Sequence, residues 1–135
     1  MRVVYADAAY YVALLARRDR LHVQATAIDQ TDASLRFVTC DAIFLELLAY
    51  TSGKGAASRR LGVALVDAVR ADERVTIVYQ NPALFDEALA LYRKRPDKGY
   101  SLVDCLSMVI CRDRGIAEVL THDHHFAQEG LTILL

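Results

Sequence analysis

Short runs of β-branched and aromatic residues alternate along this chain with segments of helical apolar spacing, and this alternation constrains the fold more than any other feature. Strands are predicted at residues 2–5, 35–38, 75–79, 118–121 and 131–134. Helices are predicted at residues 8–18, 21–33, 41–50, 58–69, 82–95 and 101–112. Such alternation predicts βαβ units, and therefore an α/β fold with a mainly parallel twisted sheet and helices on both faces.

The length of 135 residues fits a single domain spanning residues 1–135. Apolar residues make up 54% of the chain, slightly more than is usual for a globular domain. This excess predicts either a sheet covered on both faces or a surface reserved for a partner chain.

The charge balance excludes a strongly basic nucleic-acid-binding domain, because the 16 Lys and Arg residues are balanced by 17 Asp and Glu residues. Any contact with nucleic acid must come from local clusters. One such cluster is Lys54 with Arg59 and Arg60, and another is residues 93–95 with Lys98. These groups are candidates for holding RNA phosphates at the rim of a pocket, and a merely solvated charged face is an equal alternative.

Cysteine usage and hydropathy indicate the compartment. The three cysteines are an odd number without metal-type spacing, which predicts reduced, buried thiols. No segment resembles a signal peptide, and no apolar run is long enough to span a bilayer. We expect a cytoplasmic protein without a membrane partner.

Two aspartates follow predicted strands directly. Asp7 comes after the first strand and Asp123 after the strand that ends near Thr121. Ligands of parallel sheets bind beyond the carboxyl ends of the strands, so both carboxylates are expected at one edge. Each could also be an ordinary loop residue or helix N-cap.

Two further acids lie in apolar helical surroundings. No Lys or Arg lies within a helical turn of Glu46. Ionisation of its carboxyl group therefore costs free energy, unless this face of the helix is exposed or a distant Arg pairs with it. Asp104 stands three residues after Ser101, which is the spacing of a capping box. It could cap its helix and still face a shared cavity.

Four converging carboxylates repel one another, and two charges about 4 Å apart cost roughly 4 kcal/mol at an effective dielectric near 20. A divalent cation removes this penalty. Carboxylate oxygens favour hard ions, so Mg²⁺ or Mn²⁺ fits better than Zn²⁺. Such ions activate water and stabilise charge on a phosphodiester.

Five segments carry a resemblance to a known family. They are residues 4–14; Asp19 with His22 and Ala25; residues 39–46; residues 98–105; and residues 120–126 with Gly130. In this order and at these separations, they resemble the PIN-domain ribonucleases, and most closely the VapC-type toxins of toxin–antitoxin pairs. Each segment alone is a weak signal, and the combination is a strong one. The resemblance covers nearly the whole chain.

The resemblance implies a three-layer PIN-like fold and metal-dependent endonucleolytic cleavage of RNA. By it, the Mg²⁺ or Mn²⁺ ligands would be Asp7, Glu46, Asp104 and Asp123. Ser101 and Thr121 would support the metal site or the phosphate. The implied partners are an RNA substrate, a cognate antitoxin and a second copy of the chain. One departure is Ala9, where the family often has Ser, Thr or Asn.

Two alternatives remain at this point: a PIN nuclease of RNA maturation or decay, and a non-catalytic PIN-like binding scaffold. His122, His124 and His125 flank Asp123 and could bind a borderline metal, but a solvent-facing loop is the favoured interpretation. Phosphatases of the haloacid dehalogenase type, receiver domains and proteins with glycine-rich phosphate loops are disfavoured, because their motifs are absent.

Overall fold

The computed structural model describes all 135 residues. The strands are β1 (Val3–Ala6), β2 (Arg36–Cys40), β3 (Val75–Val78), β4 (Glu118–Leu120) and β5 (Thr132–Ile133). The helices are α1 (Ala8–Leu15), α2 (His22–Thr31), α3 (Asp41–Ser52), α4 (Ala56–Ala71), α5 (Pro82–Lys94), α6 (Leu102–Arg114) and α7 (His124–Gln128). The predicted strand–helix alternation is confirmed.

The five strands form one sheet in the order β3-β2-β1-β4-β5, and every pairing is parallel. In the central strand, Tyr5 pairs with Val38 on one side and with Val119 on the other. Right-handed crossovers then place α1 to α4 on one face and α5 to α7 on the other. The predicted α/β class, with helices on both faces of a parallel sheet, is confirmed.

The order of the strands reverses between β1 and β4. From β1 the chain moves outward to β2 and β3, and it then crosses to β4 and β5 on the opposite side. Loops that leave the carboxyl ends of β1 and β4 therefore turn towards opposite faces. The gap between them is a topological switch point, which is the usual ligand site of open parallel sheets.

The core is built around this central strand and around α6. Val4, Tyr5 and Ala6 have no exposed surface. All residues of α6 from Cys105 to Cys111 are buried, and the Tyr5 hydroxyl lies 2.7 Å from Ser107 Oγ. This hydrogen bond lets a polar tyrosine tip lie inside an apolar layer without losing its partner.

The boundaries of several elements differ from prediction. The first helix ends at Leu15, well before residue 18, while α4 is longer at both ends than predicted. Gly55 precedes α4 with a φ of +96°, a backbone conformation that side chains with a Cβ rarely adopt. The short α7 was not predicted, because a stretch rich in histidine carries no clear apolar period.

Burial distinguishes the cysteine and aromatic side chains that form the core from those that face solvent. The three cysteines are free and buried, as predicted. Tyr10, Tyr11 and Phe44 lie in the core, whereas Tyr50 is exposed. No helix has the length and apolar character needed to cross a bilayer.

Candidate functional site

The switch point between β1 and β4 gathers acidic side chains from four helices. Asp7 and Asp123 occupy the N-cap positions of α1 and α7, directly after the two strands. Asp104 lies in the first turn of α6, and Glu46 lies in the second turn of α3. Each of these helices begins at the carboxyl edge of the sheet, so backbone topology alone brings the four residues to one region.

Asp7 is the most enclosed of these acids, with 8% of its surface exposed. Its Oδ2 accepts a hydrogen bond of 2.9 Å from the Thr121 hydroxyl. Burial raises the pKa of Asp7 from 3.8 to about 6, against the lowering effect of hydrogen bonds from Thr121 and the Ala8 backbone. The charges of Asp104 and Asp123 add to the increase, so the three carboxylates act on one another.

Thr121 connects two of the acids through its hydroxyl. The fully buried side chain donates to Asp7, and its oxygen accepts the backbone N–H of Asp123 at 3.1 Å. With both donor and acceptor functions used, the hydroxyl has a single orientation. The loops after β1 and β4 are therefore held in a fixed relation.

Asp104 is part of a capping box and also faces the acidic site. The Ser101 hydroxyl accepts the Asp104 backbone N–H, and Asp104 Oδ2 accepts the Ser101 backbone N–H, each at 3.0 Å. The same Oδ2 lies 3.3 Å from Nδ1 of His125. The predicted capping box is confirmed, and Ser101 orients the Asp104 carboxylate through this cap.

Glu46 belongs electrostatically to the same group. Partial burial of the carboxyl, together with the charges of Asp7 and Asp104, raises its pKa from 4.5 to about 7. The residue as a whole is exposed, as one of the sequence-based alternatives allowed. None of the ion pairs of the structure involves Glu46, so the alternative of a distant arginine partner is wrong.

His125 completes the acidic group in a way that the sequence did not reveal. Its Nδ1 lies 3.3 Å from Asp104 Oδ2 and 3.3 Å from Asp123 Oδ1. Its backbone N–H also donates to Asp123 Oδ1 at 2.9 Å. One ligand atom from each of Asp104, Asp123 and His125 lies within 4.8 Å of the other two.

The expectation of a solvent-facing histidine loop is right for two of the three residues. His122 and His124 are exposed, whereas the ring of His125 packs edge-on against Tyr100 with centroids 5.4 Å apart. An N-cap aspartate two residues before a histidine in the first turn of a helix is the signal that could have predicted this contact.

An open depression of about 500 Å³ lies over part of the site. Its lining residues include Asp7, Asp123, the three histidines and Ala9. Ala9 contributes no polar atom there, in line with the departure noted in the sequence. The depression gives solvent-sized molecules and larger groups access to the carboxylates.

The basic cluster consists of Lys54, in the turn after α3, and of Arg59 and Arg60, near the start of α4. All three residues are exposed. Lys54 Nζ lies 4.5 Å from the centre of the Tyr50 ring, and Arg59 contacts the Ser52 carbonyl. None forms an ion pair with the four acids, so these cations do not offset the negative charge of the site.

The donor set fits a hard divalent cation. It consists of carboxylate oxygens and one imidazole nitrogen, with no thiolate at the site and no Lys or Arg paired to an acid there. Burial and the neighbouring carboxylates raise the pKa values of Asp7 and Glu46, and no Lys or Arg forms an ion pair with either residue. A bound cation would compensate the charges of these carboxylates.

The fold and this acidic switch point define a known class of domain. The family model of the PIN domain matches residues 4–129. The chain therefore belongs to the PIN domain family. The comparison with curated protein sequences finds no match.

Solved structures share this fold at low sequence identity. VapC20 of Mycobacterium tuberculosis, described as a toxin that cleaves the sarcin–ricin loop, superposes with a TM-score of 0.85 at 21% identity, over 96% of each chain. VapBC-1 of nontypeable Haemophilus influenzae gives 0.65 at 16% identity, covering 98% of this chain and 96% of that one. VapBC2 of Rickettsia felis, bound to a promoter DNA fragment, gives 0.67 at 12% identity, covering 98% and 97%.

Proposed function

We propose that this protein is a metal-dependent endoribonuclease, and that it acts as the toxin of a type II toxin–antitoxin system. The observation that carries the proposal is the grouping of Asp7, Asp104, Asp123 and Glu46 at the switch point of a PIN domain, without a basic side chain to neutralise them. Uncompensated carboxylates at an open ligand-binding edge are suited to a divalent cation and a phosphodiester.

Asp7, Glu46, Asp104 and Asp123 would hold the ion, which we propose to be Mg²⁺ or Mn²⁺. Thr121 keeps Asp7 in place through its hydroxyl, and Ser101 fixes the direction of Asp104 through the capping box. These two hydroxyls act by positioning the carboxylates. When bound, the ion supplies an acidified water and neutralises charge on the phosphate.

The protein's own contribution is a preorganised negative site that opens to solvent. Asp7 is buried and held by Thr121, while Glu46 is exposed. We propose that an RNA backbone lies across the depression beside Asp123. Lys54, Arg59 and Arg60 would contact phosphates farther along the strand, because they are exposed and free of carboxylate partners.

Protein partners are part of the proposal. Large apolar side chains are exposed on three helices, among them Leu45 on α3, Leu61 on α4, and Phe85 and Tyr92 on α5. These exposed apolar side chains are candidates for contacts with an antitoxin chain and with a second copy of the toxin. Two of the similar structures are VapBC assemblies.

The direct test is RNA cleavage in vitro by the purified protein with Mg²⁺, with Mn²⁺ and with a chelator. The wild type should cut RNA internally only with a metal, and Asp7→Asn should be inactive with an unchanged circular dichroism spectrum. Full activity in Asp7→Asn or in chelator would refute the proposal. Sequencing of RNA ends after induction in cells would then identify the cleaved RNA.

The same experiments separate the alternatives. A binding scaffold would show no carboxylate-dependent uptake of Mn²⁺ in calorimetry. A nuclease of RNA maturation would cut RNA without arresting growth and without a neighbouring antitoxin gene. Growth arrest that a co-expressed neighbouring gene reverses would support the toxin assignment.

A further inference from the structure

We infer that His125 is a direct nitrogen ligand of the metal ion and that it biases the site towards Mn²⁺ over Mg²⁺. This inference rests on the proposed function, since it concerns the same metal site. It adds a ligand to the four carboxylates and predicts which ion the site prefers.

The position of the imidazole is the first support. Nδ1 lies 3.3 Å from one oxygen of Asp104 and 3.3 Å from one oxygen of Asp123. Neighbouring ligand atoms of an octahedral ion with bonds of about 2.1 Å lie about 3 Å apart. Both nitrogen–oxygen distances are therefore close to the separation of neighbouring ligands around one cation, and all three ligand atoms lie within 4.8 Å of one another.

The fixed orientation of the ring is the second support. The backbone N–H of His125 donates a hydrogen bond to Asp123 Oδ1, which holds the residue in the first turn of α7. The ring contacts Tyr100 edge-on, and Tyr100 is anchored through its hydroxyl to Glu129 at 2.9 Å. Glu129 in turn pairs with Arg95. A ring held by packing and by a bonded neighbour is a preorganised ligand.

Gly99 provides the space that this orientation requires. A Cβ at Gly99 would lie 3.3 Å from Nε2 of His125, which is a tight contact. The absence of a side chain lets the far edge of the ring approach the backbone while Nδ1 faces the acids. When the imidazole hydrogen is on Nε2, the lone pair is on Nδ1, beside Asp104 and Asp123, where it can bind a cation.

The chemical consequence concerns the choice of ion. Mg²⁺ takes oxygen ligands and retains its waters, so an imidazole adds little to its affinity. First-row transition ions accept imidazole nitrogen, and their affinities rise from Mn²⁺ onwards. One nitrogen among carboxylates should therefore raise the affinity for Mn²⁺ relative to that for Mg²⁺.

The test is pulsed electron paramagnetic resonance of Mn²⁺ bound to the full chain, together with calorimetric affinities for Mn²⁺ and Mg²⁺. The wild type should show coupling of Mn²⁺ to a nitrogen that changes on ¹⁵N-histidine labelling. His125→Asn should lose this coupling and about tenfold in Mn²⁺ affinity. Its Mg²⁺ affinity should change by less than about twofold, as expected for an oxygen-seeking ion.

His122→Asn and His124→Asn are matched controls, because both histidines are exposed and lie within three residues of His125 in the chain. They should keep the nitrogen coupling and the preference for Mn²⁺. His125→Gln is a second variant that should lose the nitrogen coupling as His125→Asn does. Thermal unfolding of each variant shows whether a substitution has impaired folding.

The outcomes distinguish the two levels of the proposal. Mn²⁺ binding that depends on Asp7 but shows no nitrogen coupling would overturn the role of His125 and leave the proposed nuclease intact. An unchanged Mn²⁺ to Mg²⁺ preference in His125→Asn would do the same. Absence of any metal binding in the wild type would refute the proposed function and this inference together.

Discussion

The hydroxyl of Thr121 lies 2.9 Å from Oδ2 of Asp7, although 114 residues separate them in the chain. The bond joins the carboxyl ends of β1 and β4, which lie side by side in the sheet. It favours the ionised form of the Asp7 carboxylate and so opposes the rise in pKa that burial causes. The most enclosed acid of the site is thus held ready for a cation by a neighbouring strand.

Removal of the Thr121 hydroxyl should destabilise the protein and weaken metal binding. Thr121→Val keeps the shape of the side chain but leaves the Asp123 backbone N–H and the Asp7 carboxylate without their partner. We expect a loss of about 1 to 3 kcal/mol in unfolding free energy, measured by urea titration. Thr121→Ser retains the hydroxyl and should lose less. Equal stability of Val and Ser variants would contradict this role.

The stability of the metal-free protein should fall as pH rises through the pKa of Asp7. The folded-state value of about 6 exceeds the ordinary value of 3.8. The folded state therefore binds the proton more tightly than the unfolded state, and this contribution is full below pH 4 and lost above about pH 6. The difference corresponds to about 3 kcal/mol.

Asp7→Asn should remove the part of this pH dependence that is due to Asp7, while the raised pKa of Glu46 contributes separately. The variant should unfold at a higher temperature than the wild type at pH 8 without metal, and the two should converge near pH 4. Asp86→Asn, which changes an exposed acid on α5, is the control. Addition of Mn²⁺ should raise the melting temperature of the wild type and leave that of Asp7→Asn nearly unchanged. Identical pH profiles for all three proteins would contradict a pKa of Asp7 raised by burial in the folded state.

The capping box should contribute both stability and orientation. Ser101→Ala removes the acceptor for the Asp104 backbone N–H and should cost about 1 kcal/mol. Ser101→Asn restores a cap acceptor and should recover most of this loss. Because the cap also directs the Asp104 carboxylate, the Ala variant should bind Mn²⁺ more weakly than the Asn variant in calorimetry. A stability loss with unchanged metal affinity would limit Ser101 to a structural role.

The basic turn between α3 and α4 should govern the salt dependence of RNA binding. Replacement of Lys54, Arg59 and Arg60 together with Ala should reduce the slope of log affinity against log salt by about 2, since each lost phosphate contact removes about 0.7. Binding should be measured with Asp7→Asn as the background, so that RNA is not cut. Arg70→Ala with Arg114→Ala, at the opposite edge of the sheet, should leave the slope unchanged. An unaltered slope in the triple variant would exclude these residues.

Much of the architecture was predictable from local patterns. The alternation of short β-branched runs with helical segments predicts parallel βαβ units, since a parallel connection requires a crossover. The capping box of Ser101 and Asp104 was predictable from their spacing alone, because both hydrogen bonds of that motif lie within one helical turn. Pro82 marked the start of α5 for the same local reason.

The sequence by itself determined the alternation of elements, the capped helix starts and the presence of acids after two strands. Only the tertiary structure decided that β1 and β4 are neighbours, and hence that Thr121 bonds Asp7. It also turned His125 towards Asp104 while His122 and His124 remained in solvent. The physical reason is that strand order and ring orientation depend on contacts between residues distant in the chain, which no local period encodes.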